Sequence, residues 1–431
     1  MTRQLRSRRI AQIAAAAALV LGLAACTSIA SAPNTTLTPH SEFGRSIDAL
    51  WRLLLVLGTI VFVGVEIALL VTVVKFRKRA GSPAPKQTHG NTTLEITWTL
   101  IPAVVLAFIA VPTIRTIFKT QSKALPGSLQ VEVIGHQWWW EFKYPQYNIV
   151  TANELYIPVG KTVNFALKSA DVIHSFWIPE LAGKRDLIAN RTNYLWFTPE
   201  STYAWNGFCA EFCGASHGNM HFRVFTVTQG EWDMWARNQQ AGPAYMPPSN
   251  PTPSPGAPTG GSTAPVSTAI ASMGANTPAG ANAAPVVAMQ NAEPQTGTWA
   301  LARLPVHIRP DTPLPDDLTF DDALVGDKAR GAQTYRTNAC IACHMVQNMS
   351  MGVVGPNLTH IGSRTTIAGA LYPNDPRHLA RWIKNAPKMK AGSLMPVLGM
   401  GQIDLMTHKP LAGGLSDQQI ADLVAYLQSL K

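Results

Sequence analysis

Cys209-Ala-Glu-Phe-Cys-Gly-Ala-Ser-His-Gly-Asn-Met220 places two cysteines, a histidine and a methionine in one short stretch. Soft thiolate and thioether ligands favour copper, zinc or iron-sulfur chemistry, and imidazole favours copper and zinc. A single-copper electron-transfer site uses one cysteine, whereas Cys213 follows Cys209 closely enough for two sulfurs to face two metal ions. His174 would supply a further imidazole from upstream. The stretch therefore predicts a binuclear copper site. A disulfide or a structural zinc is the alternative, and neither explains Met220.

Length and composition indicate a membrane protein with soluble parts. The chain has 431 residues, of which 14% are charged and 46% are hydrophobic, and it is longer than one ordinary domain. Its net charge of +10 comes from scattered lysines and arginines, without the groove of spaced aromatics that would accompany a nucleic-acid site. We therefore expect several domains and no nucleic-acid partner.

The N-terminus has the pattern of a secretion signal. Basic residues precede an apolar run over residues 10–25, which is too short to span a membrane as a mature helix. Leu23-Ala-Ala-Cys26 resembles a bacterial lipobox. The resemblance implies a lipoprotein signal peptide over residues 1–25 and acylation of Cys26. An ordinary signal peptidase site and an uncleaved anchor are the alternatives.

Two longer apolar stretches, 53–74 and 96–114, predict a pair of membrane-spanning helices. Each approaches the roughly 20 residues that a bilayer core requires of a helix. We expect a transmembrane hairpin over residues 50–119, preceded by an outward segment over residues 26–49. The connecting loop should be cytoplasmic, because positive charge concentrates there. Its basic residues are Lys75, Arg77, Lys78, Arg79 and Lys86.

Two carboxylates accompany this hairpin. Glu66 lies within the first span, where an ionised carboxylate costs roughly 2.5–3.5 kcal/mol near the bilayer centre. It must face protein or stay protonated, so its predicted role is a hydrogen bond to a partner subunit's helix or a step in a proton path. Glu95 stands at the start of the second span, where the helix dipole favours an acid.

From about residue 130 to residue 228 the sequence breaks into short alternating runs separated by turn residues, which predicts a β-sandwich or barrel in a domain over residues 120–240. One such run is Leu155-Tyr-Ile-Pro-Val-Gly160. Three consecutive aromatics, Trp138, Trp139 and Trp140, precede it. Successive side chains of a strand point to opposite faces, so at least one of these tryptophans is expected at the surface or at an interface.

Residues 241–317 are rich in proline, alanine, glycine, serine and threonine. Such a composition cannot bury enough apolar surface to offset the cost of ordering the chain, so we expect a flexible linker. For about 75 residues the root-mean-square reach is on the order of 45–50 Å. The island Thr298-Trp-Ala-Leu-Ala-Arg-Leu-Pro305 is more apolar, but the sequence does not indicate where it would dock.

Cys340-Ile-Ala-Cys-His344 is a CxxCH pattern, in which two thioethers hold a haem and the adjacent histidine ligates its iron. A zinc or redox CxxC site is the alternative. A helical pattern over residues 321–335 precedes the motif, and Ser416 with Gln419 forms the capping box of a closing helix. Residues 318–431 therefore predict a small all-α cytochrome c.

A thioether as the sixth ligand would give the haem a high potential. Met389, Met395 and Met400 compete for this position. We expect Met395, because Gly392-Ser-Leu-Met-Pro396 has the Met-Pro form seen in cytochromes c.

The copper stretch, the segment Asp171-Val-Ile-His-Ser-Phe-Trp177 and the segment Gly135-His-Gln-Trp-Trp-Trp140 together resemble subunit II of haem-copper cytochrome c oxidases. With its fused haem domain the chain is similar to the caa-type branch. The resemblance implies a cupredoxin-like fold for residues 120–240 and a binuclear CuA centre. Cys209 and Cys213 would bridge both coppers, His174 and Met220 would complete one, and His217 with the backbone carbonyl of Glu211 would complete the other.

The same resemblance implies further roles and partners. The Glu211 carboxylate would help to hold a magnesium ion shared with subunit I, Trp138 would be the electron entry point, and Glu95 would lie at the mouth of a proton channel. Electrons would pass from an outside donor, cytochrome c or a quinol-cytochrome c reductase, through haem c and CuA to the oxygen-reducing centre of subunit I. Subunit III is a further expected partner.

The resemblance also implies a location in the bacterial cytoplasmic membrane, with the CuA and haem domains on the outer side. Two alternatives remain open: the electron-input subunit of a CuA-containing nitric oxide reductase, and a non-catalytic electron-carrier module. The catalytic subunit decides between them, and it is a different chain.

Overall fold

The computed structural model describes residues 34–78, 89–122, 126–247, 297–404, 408–411 and 413–431, with a few isolated positions before residue 23 and at 81 and 87. Most of the predicted signal peptide, Cys26 and most of the predicted linker lie outside the described residues. So do two basic residues of the hairpin loop, Arg79 and Lys86.

Two long apolar helices, α1 (Glu42–Lys75) and α2 (Thr92–Gln121), form the predicted hairpin. The side chains of Ser41 and Asn91 cap them, accepting hydrogen bonds from the backbone N–H groups of Gly44 and Leu94. By length and composition both helices could cross a membrane, and most of their apolar side chains are exposed. They fit a membrane-anchored protein.

The helices extend beyond the apolar stretches because their outer ends contact the next domain and each other. Phe43 is 3% exposed and meets the ring of Trp196 edge-on, with centroids 6.1 Å apart. The ammonium group of Lys119 donates to the hydroxyl of Ser46 at 2.8 Å. The hairpin is thereby held against the base of the β domain.

The β domain is the expected sandwich of two five-stranded sheets. Their strand orders are β3-β2-β1-β5-β8 and β4-β10-β9-β6-β7. In β1 alternate residues are buried, so one face of the first sheet packs on the second. The strands are β1 Leu129–His136, β2 Trp139–Tyr144, β3 Ile149–Ala152, β4 Glu154–Pro158, β5 Val163–Ser169, β6 His174–Trp177, β7 Arg185–Leu187, β8 Asn193–Phe197, β9 Tyr203–Cys209 and β10 His221–Val227.

A helix, α3 (Gln229–Gln240), closes the sandwich on one side. Thr228 and Glu231 form a capping box at its start. Trp232 and Trp235 of this helix lie against the ring of Tyr144, with centroids 5.6 Å and 5.2 Å apart.

Residues 297–309, which we call the returning segment, pack back on the sandwich although they fall within the predicted linker. The backbone N–H of Trp299 donates to the hydroxyl of Tyr156 at 3.1 Å, and its ring lies 5.6 Å from that of Phe225. Arg303 pairs with Glu231 at 2.7 Å. The apolar island at Thr298 therefore docks on α3 and the second sheet, and the chain is fixed to the sandwich again before it enters the C-terminal domain.

The C-terminal domain is helical, as expected. Its helices are α4 Lys328–Thr337, α5 Cys340–Cys343, α6 Pro376–Lys384, α7 Ala386–Met389 and α8 Asp417–Gln428. Two short ribbons accompany them, β11 (Met345–Val346) with β12 (Ser350–Met351) and β13 (Thr366–Ile367) with β14 (Tyr372–Pro373). The capping box of Ser416 and Gln419 at the start of α8 is confirmed.

The helix expected from residue 321 begins later, at Lys328. The side chain of Asp327 caps it by accepting from the backbone N–H of Arg330 at 2.8 Å. Asp422 of α8 accepts from the backbone N–H of Asp327 at 2.7 Å. These contacts hold Asp327 against α8, and residues 321–327 approach α4 in a non-helical and largely exposed path.

Candidate metal centre and haem site

The copper stretch forms the loop between β9 and β10, so Cys209 ends one strand and Met220 directly precedes the next. The backbone N–H of Cys209 donates to the carbonyl of Met220 at 3.1 Å and closes the loop at its base. His174 is the first residue of β6. It reaches the loop because β6 pairs with β9 in a register that places Phe176 opposite Cys209.

The structure brings all six predicted copper donors together. The sulfurs of Cys209 and Cys213 are 3.8 Å apart, and both cysteines are free thiols. Cys209 Sγ lies 3.9 Å from His174 Nδ1 and 3.3 Å from the carbonyl oxygen of Glu211. Cys213 Sγ lies 3.6 Å from His217 Nδ1 and 3.8 Å from Met220 Sδ.

This donor set fits a soft metal pair. The ligand atoms of His174, Cys209 and Cys213 all lie within 4.8 Å of one another, and these residues are buried. Hydrogen bonding to Cys213 and to His174 lowers the pKa of Cys209 to about 3, although burial opposes the change. The pKa of Cys213 is raised, because of its hydrogen bond to the Cys209 sulfur and because of burial. Two adjacent thiolates repel each other, and bound cations would relieve that repulsion.

Asp171 holds the imidazole of His174, a role that the sequence reasoning missed. The Asp171 carboxylate lies 2.7 Å from His174 Nε2, and this contact leaves Nδ1 directed at the Cys209 sulfur. Burial by itself lowers the pKa of His174, but hydrogen bonds to Asp171 and Cys209 raise it overall. Carboxylates that orient ligating histidines are common partners of metal sites. An acid three residues before the histidine was the available signal.

Three side chains bind the backbone of the copper loop. Gln137 Nε2 and Trp138 Nε1 both donate to the carbonyl oxygen of Cys213, at 2.8 Å and 3.0 Å. The Trp138 ring is half-buried, whereas Trp140 is fully buried and Trp139 stacks on His136 with centroids 4.1 Å apart. Trp140 also binds the copper loop, because its Nε1 donates to the carbonyl oxygen of Met220 at 3.4 Å.

The backbone carbonyl and the side chain of Glu211 lie in different surroundings. Its backbone carbonyl faces Cys209, whereas its side chain is exposed, as is that of its neighbour Phe212 at 77%. The carboxylate of Glu211 is thus free to meet a partner subunit.

A substitution at Gly135 tests how closely His174 is held. A Cβ atom at Gly135 would lie 2.7 Å from Cδ2 of the His174 ring. We expect Gly135→Ala to push the imidazole aside, to lower the copper content, and to destabilise the sandwich by about 1–3 kcal/mol, as overpacking usually does. Metal analysis and thermal unfolding of the purified protein measure both effects.

Gly230→Ala is the matched control, because nothing lies within 4 Å of its added carbon. It should retain full copper, with an unfolding midpoint that is unchanged or slightly raised because alanine favours a helix more than glycine does. Copper retention in Gly135→Ala equal to that of the control would contradict a rigidly held His174.

The predicted haem residues line one cavity in the C-terminal domain. Cys340, Cys343, His344 and Met395 all border it. Met389 is 6% exposed in the domain core, and Met400 is 53% exposed at the surface. Within the described residues neither of these two methionines lines the cavity. The geometry thus favours Met395 among the three candidates.

The orientation of His344 also suits an axial ligand. Its Nδ1 lies 2.8 Å from the carbonyl oxygen of Pro356, which leaves Nε2 for a metal. A Cβ at Gly355 would lie 2.5 Å from the His344 ring, so glycine is required for this close approach. Burial lowers the pKa of His344 and keeps the imidazole neutral. Arg364 lines the same cavity with its Nε unpartnered, a cationic group suited to the carboxylates of a haem.

Residues of the sandwich form the opposite wall of this cavity. They are Gln137, Trp138, Trp139, Ala152 and Asn153. Trp138 thus borders the haem cavity with its ring and binds the copper loop through its indole nitrogen. The two sites are neighbours in the folded chain, which the linker between them did not reveal.

The hairpin carboxylates lie apart from both sites. Glu95 is exposed in the first turn of α2, and Glu66 is exposed in the second half of α1. A proton-channel role for Glu95, and either role considered for Glu66, would need a partner chain and stays a prediction.

Three family models match successive parts of the chain. They are the cytochrome c oxidase subunit II transmembrane domain over residues 39–116, the cytochrome c oxidase subunit II periplasmic domain over residues 148–227 and cytochrome c over residues 328–431.

Named relatives agree with these matches. Cytochrome c oxidase subunit 2 of Alkalihalophilus pseudofirmus is 28% identical over 403 residues, covering 92% of this chain and 91% of the relative. A probable cytochrome c oxidase subunit 2 of Rickettsia bellii is 30% identical, covering 47% of this chain and 82% of the relative. The periplasmic domain of cytochrome oxidase subunit II of Bradyrhizobium japonicum is 28% identical, covering 27% of this chain and 97% of that chain, with a TM-score of 0.26. The chain therefore belongs to the cytochrome c oxidase subunit II family, in the form that carries a C-terminal cytochrome c domain.

Proposed function

We propose that this chain is the electron-input subunit of a respiratory oxidase, which receives electrons from an outside donor and delivers them to the oxygen-reducing centre of subunit I. The observation that carries the proposal is the pairing of two sites in one fold: a six-donor cluster in the sandwich and a CxxCH cavity beside it. When bound, CuA and haem c each take up and release one electron at a time.

The roles of the ligands follow from their positions. Cys209 and Cys213 lie at the centre of the cluster and would bridge both coppers. His174 and Met220 would complete one copper, and His217 with the Glu211 carbonyl would complete the other. Buried donors that are already assembled change little when an electron arrives, which favours rapid transfer.

In the haem site, Cys340 and Cys343 would form the thioether bonds. His344 would be the proximal ligand and Met395 the sixth. Arg364 offers a positive charge to the haem carboxylates. Trp138, which contacts both sites, is the proposed route by which an electron leaves the haem for the copper loop.

Partners follow from the exposed groups and from the family. The exposed Glu211 carboxylate would share a magnesium ion with subunit I, and the apolar hairpin faces would pack on subunits I and III. The copper and haem domains would lie on the outer side of a bacterial cytoplasmic membrane, with an acylated Cys26 as an additional anchor. Relatives named as oxidase subunits favour this function over nitric oxide reduction.

Metal analysis and electron paramagnetic resonance of the purified oxidase test this proposal. We expect two coppers in the sandwich, one covalent haem in the C-terminal domain, and hyperfine structure from an electron shared equally by two copper nuclei. A mononuclear copper spectrum, or zinc in place of copper, would refute the central step.

A further inference from the structure

Glu154 is a buried carboxylate that the proposed electron route does not use. It begins β4 of the sandwich and is 2% exposed. Its partners belong to the haem domain. The backbone N–H groups of Thr365 and Thr366 donate to Glu154 Oε1 at 2.8 Å and 3.0 Å, and their hydroxyls donate to the same oxygen at 2.5 Å and 3.2 Å.

Two buried arginines, Arg223 and Arg364, interact with the charge of this carboxylate. Arg223 of β10 lies directly opposite Glu154 in the strand pairing, and its guanidinium donates to the carbonyls of Ile308 and Ala370 at 2.7 Å and 3.2 Å. Burial lowers the pKa values of Arg223 and Arg364 to about 10, and the charge of Glu154 opposes both shifts. Burial raises the pKa of Glu154 overall, although the hydrogen bonds from Thr365 and Thr366 and the charge of Arg364 oppose this shift and compensate in part for its lost hydration. The cluster therefore ties the sandwich, the returning segment and the haem domain together.

A second set of contacts lies beside the copper loop. The Lys390 ammonium donates to the carbonyl of Trp138 at 2.6 Å, and the hydroxyl of Ser216 donates to the carbonyl of Ala391 at 2.5 Å. A Cβ at Gly392 would lie 2.9 Å from the Trp138 ring, and one at Gly214 would lie 3.0 Å from it. The indole is thus enclosed between the copper loop and the haem domain, and this fit depends on where the haem domain sits.

We propose that Glu154 is a positioning residue: it anchors the haem domain on the sandwich in the pose that presents the haem cavity to Trp138 and the copper loop. This inference rests on the proposed function. The covalent chain keeps the two domains near each other at high effective concentration, but it cannot fix their orientation. Electron transfer depends steeply on distance and contact, so the anchor would determine the rate within the chain.

The test uses Glu154→Ala in the complete oxidase. The rate of electron transfer from reduced haem to oxidised copper is followed by rapid absorption spectroscopy. We expect this rate to fall at least about tenfold and to become dependent on salt, because a tethered but undocked domain must search for its site. Amide hydrogen exchange at Thr365 and Thr366 should speed up. The haem absorption bands, the copper resonance and both midpoint potentials should not change.

The double variant Thr365→Val, Thr366→Val removes two hydroxyl donors to Glu154 on the haem domain and leaves the sandwich unchanged. It therefore tests the anchor even if Glu154→Ala does not fold. It should also slow the transfer. Glu132→Ala is the matched control, because this strand carboxylate pairs with Lys168 within the sandwich at 2.9 Å, and it should transfer electrons at the unmutated rate.

The outcomes separate the two claims. Normal copper and haem spectra with transfer rates within about twofold of the control in every variant that folds would overturn the anchor alone. Absence of the binuclear copper signal from the unmutated protein would instead overturn the proposed function.

Discussion

Replacing Cys213 with serine is expected to stop oxygen reduction while leaving the haem domain reducible. The Cys213 sulfur lies between 3.6 Å and 3.8 Å from His217 Nδ1, Cys209 Sγ and Met220 Sδ, so it joins the donors of both predicted coppers. A hydroxyl is a poor ligand for this soft site. Changes to groups that merely orient ligands cost 10–100-fold, so losing a bridging ligand should cost more than about 100-fold in turnover.

Oxygen consumption by the assembled oxidase measures the loss, and copper content and absorption spectra locate it. Gly218→Ala is a control from the same loop, since nothing lies within 4 Å of the added carbon. A Cys213→Ser enzyme that retained two coppers and near-normal turnover would show that Cys213 is not a bridge.

Replacing Met395 with alanine should give the second-largest effect. Met395 borders the cavity that also contains Cys340, Cys343 and His344. Loss of a thioether ligand lowers a haem potential. We expect a fall of at least about 120 mV, which makes transfer to the copper roughly 100-fold less favourable, since 59 mV corresponds to tenfold for one electron.

Redox titration and the spin state of the haem report this change. Met400→Ala is the matched control, because Met400 is 53% exposed and outside the cavity lining. If the Met395 variant kept a six-coordinate haem at an unchanged potential, another side chain would be the ligand.

Some features of this protein could be predicted because their signals are local. Cys209, Cys213, His217 and Met220 lie in one loop, so the loop itself brings most of the copper donors together. The CxxCH motif is equally local, because both cysteines and the predicted axial histidine lie between residues 340 and 344. The helices of the hairpin follow from apolar runs long enough for a bilayer.

Other features depended on contacts between distant parts of the chain. His174 joins the copper loop only because β6 pairs with β9 in a particular register. The helical pattern from residue 321 predicted the wrong start for α4, because Asp327 caps the helix and its backbone N–H bonds to Asp422 of α8. The returning segment lies between stretches of linker-like composition, yet Trp299 is buried against Tyr156 and Phe225 of the sandwich.

The sequence by itself determined most of the predicted copper and haem ligands, because ligand identity and short spacing are properties of the chain. Only the tertiary structure decided that the two sites share Trp138 and that Glu154 meets Thr365 across the domain boundary. Those contacts join residues more than 200 positions apart in the chain. The energy of such a pairing comes from burying both partners together, so no local sequence pattern predicts it.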